Sequence, residues 1–322
     1  MVAVLVILDG ASEPLPADGS PTSLELAHTP ALDAVAAAGS VTPLATVPAG
    51  LPAGSESAIP GLLGWTPPVP VDRGLLEAAA HDVTLAPDEH AWRVDVLDAA
   101  SARADADAVT HAAAALAAAT PRHRVHRLAG HRLLVAGPPP LPDLCGSGGP
   151  YDPQIRTRLV SWPEGVVPPR VLDAGTVVIG AAGAATGAGR LLGARVVVPA
   201  GATGDVDTDL RAKASAALDA VAGGAERVVV HVGAPDEAAH RCDRAAKIAA
   251  IERIDEEVIA PLAAALRRAG GRLRVCPDHG CDPRTGLHDD APVPCLDWPA
   301  RAAGGDRLTE RAALGAVALE AA

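Results

Sequence analysis

Seven consecutive apolar residues, Val2 to Leu8, run directly into Asp9 and Gly10. A continuous apolar run, without polar alternation, predicts a strand covered by helices on both faces, as in a parallel sheet. The same texture returns at Thr176 to Ile179, Ala194 to Val198, Arg227 to Val232 and Leu273 to Cys276. Between these runs the apolar spacing turns helical. Thr29 and Pro30 open a helix over 31–38 that Gly39 stops, and further helices are predicted over 210–221, 245–268 and 308–319. The pattern changes between residues 66 and 172, where Pro-rich pieces frame an alanine-rich helix (104–119) and two strands (91–97 and 132–136). The predicted architecture is α/β. Residues 1–65 and 173–322 form a core with a mostly parallel sheet covered by helices, and 66–172 form a smaller inserted α+β domain.

Composition narrows the function. The chain has 322 residues, enough to bury roughly 75% of the surface its unfolded form exposes. Phe is absent and Tyr and Met occur once each, so Val, Leu, Ile and Ala must fill the core. Acids outnumber Lys plus Arg by 39 to 27, a net charge of −12 that argues against a sequence-independent nucleic-acid binder. An anionic substrate must instead be held by a local cluster of basic groups or a metal. The five cysteines show no CxxC pair, which predicts buried or incidental thiols. Val2 to Leu8 lacks the basic flank of an export signal, and no apolar run approaches the ~20 residues of a membrane span, so a cytoplasmic protein is expected.

Candidate chemistry gathers at strand ends, where open α/β sheets place their ligands. Asp9 ends the first apolar run, and Asp236 and His240 follow the run Arg227 to Val232 at a spacing of one helical turn, so both can face one ion. The densest stretch is Val275-Cys276-Pro277-Asp278-His279-Gly280, with His288 nine residues after His279. One ion cannot take Asp278, His279 and His288 comfortably, because adjacent strand residues point to opposite faces; two ions can share them. Ser55 stands alone in a loop of Gly, Pro and Ala between Ala49 and Trp65, either as a helix N-cap or as a nucleophile that backbone amides can approach closely. The insert carries a basic run, Arg122 to Arg132, which is either a solvated face or a surface that closes on an anion.

The ordered set Val6-Ile7-Leu8-Asp9-Gly10, Gly54-Ser55-Glu56-Ser57, Gly201-Ala202-Thr203-Gly204 with Asp207-Thr208-Asp209, Val230-His231-Val232 to Asp236-Glu237-Ala238-Ala239-His240, Lys247 with Ile251 to Asp255, and Asp278-His279, His288 and Pro292-Val293-Pro294 resembles cofactor-independent phosphoglycerate mutase. The likeness is to its archaeal-type branch, within the alkaline phosphatase superfamily, and spans about two thirds of the chain. It implies an alkaline-phosphatase-like core and two divalent ions, Mn²⁺ ahead of Zn²⁺, Co²⁺ or Mg²⁺. Asp236, His240 and His288 would hold one ion, and Asp9, Ser55, Asp278 and His279 the other. The activity implied is interconversion of 3-phosphoglycerate and 2-phosphoglycerate through phosphorylated Ser55. Lys247 would reach the phosphoryl group, Arg73, Arg93, Arg132 and Arg156 would bind substrate, and the insert would act as a lid.

Two departures from the family pattern keep a second reading open. Ile59 stands where the family has a histidine four residues after the serine, and Gly180 where archaeal-type members carry an arginine. The alternative is a metal-dependent phosphotransferase or phosphohydrolase acting on another small phosphate or phosphonate ester.

Overall fold

The computed structural model describes residues 1–100, 102–141, 157–300 and 307–320, with side chains as far as 315. The chain divides into two compact units, one built from Met1–Pro70 with Pro168–Ala322 and the other from Val71–Val167.

A seven-stranded sheet organises the first unit. Its order is Ser40–Leu44, Val293–Trp298, Arg272–Cys276, Ala3–Leu8, Arg227–Val232, Thr176–Ile179, Arg195–Val197. The last five strands run parallel, and Val293–Trp298 is antiparallel to both its neighbours. The apolar run at the N-terminus is thus the central strand, and Val6, Ile7 and Leu8 are fully buried. Val4, Val6 and Leu8 face one core with Leu32, Leu210, Ile251, Leu262 and Leu266 from the covering helices. Because all five parallel strands point the same way, Asp9, His231 and the residues after Cys276 emerge at one edge.

The long helix expected over 245–268 is broken into Arg244–Ile254, a π-helical turn at Asp255–Ile259, and Ala260–Ala269. Pro261 has no N–H to donate into the preceding turn, which favours the wider turn. The break serves a neighbour: the Asp255 carboxylate accepts the N–H of Ala31 at 2.9 Å and of Leu32 at 2.6 Å. That carboxylate caps the helix Pro30–Ala36, and Thr29, expected in that part, makes no capping bond from its side chain.

The second unit is a four-stranded antiparallel sheet in the order Arg124–Arg127, Arg132–Gly137, His90–Leu97, Arg158–Ser161. Trp92, Val94 and Val96 pack against Val109, Ala112 and Leu116 of the helix Ala106–Ala119. The opposite face carries Arg93 and Asp95 toward the helix Arg73–Ala80, which approaches so closely that a Cβ on Gly74 would fall 1.9 Å from the Ala91 carbonyl oxygen. Among the described residues no helix is long and apolar enough to cross a membrane.

Candidate metal centre

Two groups of potential ligands lie side by side at the edge where the parallel strands end. The first is Asp9, Asp278 and His279, all buried; the second is Asp236, His240, Cys281 and His288. The His279 and His288 rings are 4.1 Å apart between centroids, so the groups adjoin.

In the first group, Asp9 directly follows the central strand. Its Oδ1 lies 3.4 Å from His279 Nε2 and its Oδ2 lies 3.1 Å from His231 Nε2. Asp278 Oδ1 accepts the N–H groups of Gly10 at 3.2 Å and His279 at 3.1 Å, while its buried Oδ2 has no hydrogen-bond partner. Asp278 and His279 fall in the same group because the strand ends at Cys276, and beyond it the alternation of strand side chains no longer applies. The ligand split therefore runs between these two residues and His288, for a different reason from the one the spacing offered.

Ser55 sits at this group. It is the first residue of the helix Ser55–Leu63, and the N-cap is Gly54, so its hydroxyl is not used for capping. Ser55 Oγ lies 3.5 Å from Asp9 Oδ1 and 3.4 Å from His279 Nε2. A helix N-terminus also directs unbonded backbone N–H groups at this place, an arrangement suited to phosphate.

In the second group, the helix Ala234–His240 puts Asp236 and His240 one turn apart, and His240 Nε2 lies 3.2 Å from Asp236 Oδ2. His288 Nε2 lies 3.2 Å from Asp236 Oδ1. The Nδ1 of His240 is 2.8 Å from the Gly286 carbonyl and that of His288 is 3.1 Å from the Ala53 carbonyl. A carbonyl only accepts, so these partners place a proton on Nδ1 of each ring and turn the two Nε2 atoms toward each other at 2.9 Å. Gly10, at φ +58°, makes the junction possible, since a Cβ there would come 2.4 Å from Asp236 Oδ1.

These residues fit metal ions on their own chemistry. Burial, then the charges of Asp278 and Asp236, hold the Asp9 carboxyl well above its usual range. Burial would raise the Asp236 carboxyl, but the His240 and His288 imidazoles beside it outweigh burial and hold it well below its usual range. Burial opposes charge on His288, but Asp236 beside it pushes the imidazole up to about 9. The cluster thus recruits protons where cations would serve, and Asp236 Oδ1 and Asp278 Oδ2 are buried without a hydrogen bond. Mixed imidazole and carboxylate donors suit first-row divalent ions.

Three further residues belong to the neighbourhood. His231 breaks the apolar run Arg227–Val232 at the register position of Ile7, and burial lowers its pKa to about 4. Cys281, expected to be a buried or incidental thiol, is buried and stands within the second group, where burial and then the charge of Asp236 raise its pKa. Lys213 is fully buried in the helix Leu210–Ala222 and brought down to about 8 by burial, which the charge of Asp9 only partly offsets.

Lys247 is where the structure departs from the expectation. Its Nζ donates to Ser12 O at 3.1 Å, Glu13 Oε2 at 3.1 Å and Cys281 O at 2.7 Å. All three ammonium protons are committed and the residue is fully buried, so Lys247 is a brace between two loops and has no proton left for a phosphoryl group.

Arg73, Arg93 and Arg132 lie in the second unit. Arg73 and Arg93 both contact Glu77, at 3.3 and 3.4 Å, and both stand over the Trp162 ring. Arg93 also forks onto Asp95, and burial followed by the charge of Arg73 lowers its pKa to about 10. The charge of Arg132 also acts on Glu77. In the basic run, Arg124 pairs with Glu89 and Arg127 donates to Thr110. Arg156 lies outside the described residues.

A family model described as the Metalloenzyme superfamily matches residues 1–322. A 2,3-bisphosphoglycerate-independent phosphoglycerate mutase of Methanothrix thermoacetophila is 31% identical over 352 residues, covering 91% of this chain and 90% of that protein. A probable enzyme of the same name from Geobacter sulfurreducens is 29% identical, with 91% and 90% covered. Among solved structures, a Pyrococcus horikoshii protein superposes with a TM-score of 0.74 at 24% identity, covering 98% of this chain and 90% of the other. The cofactor-independent phosphoglycerate mutase of Thermoplasma acidophilum gives a TM-score of 0.54 at 17% identity, covering 98% and 95%. The two structures show the fold alone.

Proposed function

The chain belongs to the metalloenzyme superfamily and, within it, to the 2,3-bisphosphoglycerate-independent phosphoglycerate mutases, and on that footing we propose that it interconverts 3-phosphoglycerate and 2-phosphoglycerate. The observation that carries the reading is a lone hydroxyl, Ser55 Oγ, 3.5 Å from Asp9 and 3.4 Å from His279 at the edge of a second ligand group. Asp236, His240 and His288 hold one divalent ion, and Asp9, Ser55, Asp278 and His279 hold the second, with Mn²⁺ the expected metal and Zn²⁺, Co²⁺ or Mg²⁺ as substitutes. When bound, the ions supply positive charge against the phosphoryl oxygens and favour the serine alkoxide.

Ser55 Oγ forms a bond to the phosphorus of 3-phosphoglycerate as the bond to the 3-oxygen breaks. The 2-hydroxyl oxygen of the retained glycerate then takes the phosphoryl group back from the serine. The N–H groups at the start of the Ser55 helix donate to phosphoryl oxygens, and Lys213, which donates to Thr203 O at 3.4 Å, adds positive charge behind Asp9. In this reading the unit Val71–Val167 is the lid that keeps glycerate in and water out, with Arg73, Arg93 and Arg132 answering its negative charge. The relatives' names favour mutase over phosphohydrolase. A small phosphorylated substrate and cytoplasmic glycolysis are the context proposed.

A phosphorus NMR time course of the Mn²⁺-loaded protein with 3-phosphoglycerate, beside Ser55→Ala, tests the reading. A growing 2-phosphoglycerate signal that is lost in the variant supports it. Free phosphate without 2-phosphoglycerate sinks the mutase and leaves a phosphohydrolase.

A further inference from the structure

A cavity of about 750 Å³ opens on the sheet at the far ends of the strands that carry the metal-site residues. Arg272 and Arg227 flank Ala3 at the same register on the two neighbouring strands, and Arg274 stands beside Leu5 two residues further along. Residues i and i+2 share a face, and strands lie about 4.8 Å apart, so three guanidiniums rise round a low floor whose centre is only a methyl group. Leu5, Leu44, Leu62 and Trp298 supply apolar lining. Among the described residues the one acidic lining residue is Asp297, which Arg274 grips through Nε and Nη2 at 2.7 and 2.8 Å, leaving its Nη1 outside the pair.

The charge is unbalanced. Arg272 has no acidic partner among the described residues, and Arg227 donates only to carbonyl oxygens, those of Leu62 and Leu63. Three cations thus face one anion, on a chain whose net charge is −12. Burial, then the charge of Arg274, lowers the pKa of Arg227, so the guanidiniums feel one another. An anion among them relieves that repulsion, and guanidinium forks match phosphate, sulfonate or carboxylate heads. Apolar walls and the volume suit an attached ring or hydrocarbon body.

We propose that this cavity is a binding site for a small organic anion, an acidic head on an apolar or ring-bearing body, separate from the metal centre. It lies at the first residues of strands whose opposite ends lead to Asp9 and Asp278.

The test uses the Mn²⁺-loaded protein and anilinonaphthalene sulfonate, which carries both features and fluoresces when it leaves water. Saturable binding at one site per chain is expected, with energy transfer from tryptophan. Arg272→Ala, an exposed position, should weaken it about tenfold, the effect of one lost charge-assisted contact. Asp297→Asn should tighten it about threefold by releasing the Arg274 fork, a gain that misfolding cannot imitate. The uncharged parent amine should not bind, and Asp278→Asn, at the metal centre, should leave the affinity as it was. Equal affinity in wild type, Arg272→Ala and Asp297→Asn overturns the proposal, as does binding lost only in Asp278→Asn.

Discussion

His231 Nε2 stands 3.1 Å from Asp9 Oδ2, on the neighbouring strand at the register of Ile7, two residues before the carboxylate. The imidazole stands against one oxygen of a carboxylate whose other oxygen faces His279 and Ser55, and its Nε2 makes no hydrogen bond among the described residues. Outer partners of this kind are worth about ten- to a hundredfold in metal affinity. His231→Leu is therefore expected to weaken Mn²⁺ binding by that order while circular dichroism stays unchanged. An unaltered Mn²⁺ titration would remove His231 from the site.

Lys247 makes a contrasting prediction. Its charge is buried with Glu13 and two carbonyl oxygens, and deleting one partner of such a pair costs about 3–5 kcal/mol. Lys247→Met should shift the urea midpoint accordingly. The part that remains folded should still carry Mn²⁺, because Nζ contacts none of the seven proposed ligands.

Gly10 is a tight point of the centre. At φ +58° an alanine pays about 1–2 kcal/mol in backbone strain, and its Cβ would sit 2.4 Å from Asp236 Oδ1 and 2.9 Å from Asp236 Cα. Backbone cannot yield as a flexible side chain can. Gly10→Ala should abolish turnover and Mn²⁺ binding together, and normal turnover in that variant would mean the two ligand groups are less closely joined than the structure has them.

Acid should reach the second unit through Asp95. Burial would raise its pKa, but the hydrogen bond to His131, the charges of Arg93 and His131 and the Trp162 N–H at 2.9 Å together hold it well below the usual carboxylate range. A folded pKa below the unfolded value of 3.8 means stability present above that pH and lost as pH falls toward the folded value. Asp95→Asn should flatten the acid side of the stability curve below about pH 4, read from Trp162 fluorescence, and an unchanged curve would remove Asp95 as its source.

Much of this was legible before the fold. Val2 to Leu8 gave the central strand because an uninterrupted apolar run has few other uses, and Asp236 and His240 could be grouped because four residues make a helical turn. Other parts depend on approaches no local pattern encodes. Cys281 resembles an ordinary buried thiol until the strand Gly280–Asp282 folds back beside Asp236. Asp255 reads as one more acid on a long helix until it reaches Ala31 and Leu32, and Lys247 reads as a phosphate binder until Glu13 and Cys281 take its protons. Burial decides each case, and it is a property of the whole chain.

The contact from Asp278 to the N–H of Gly10 joins positions 268 residues apart. During synthesis the Gly10 N–H has no Asp278 to meet until those 268 residues have followed it from the ribosome. Val71–Val167 is contiguous and is complete long before then. A truncated product ending before residue 278 lacks both groups' later members, so metal capture reports that translation reached the far end of the core.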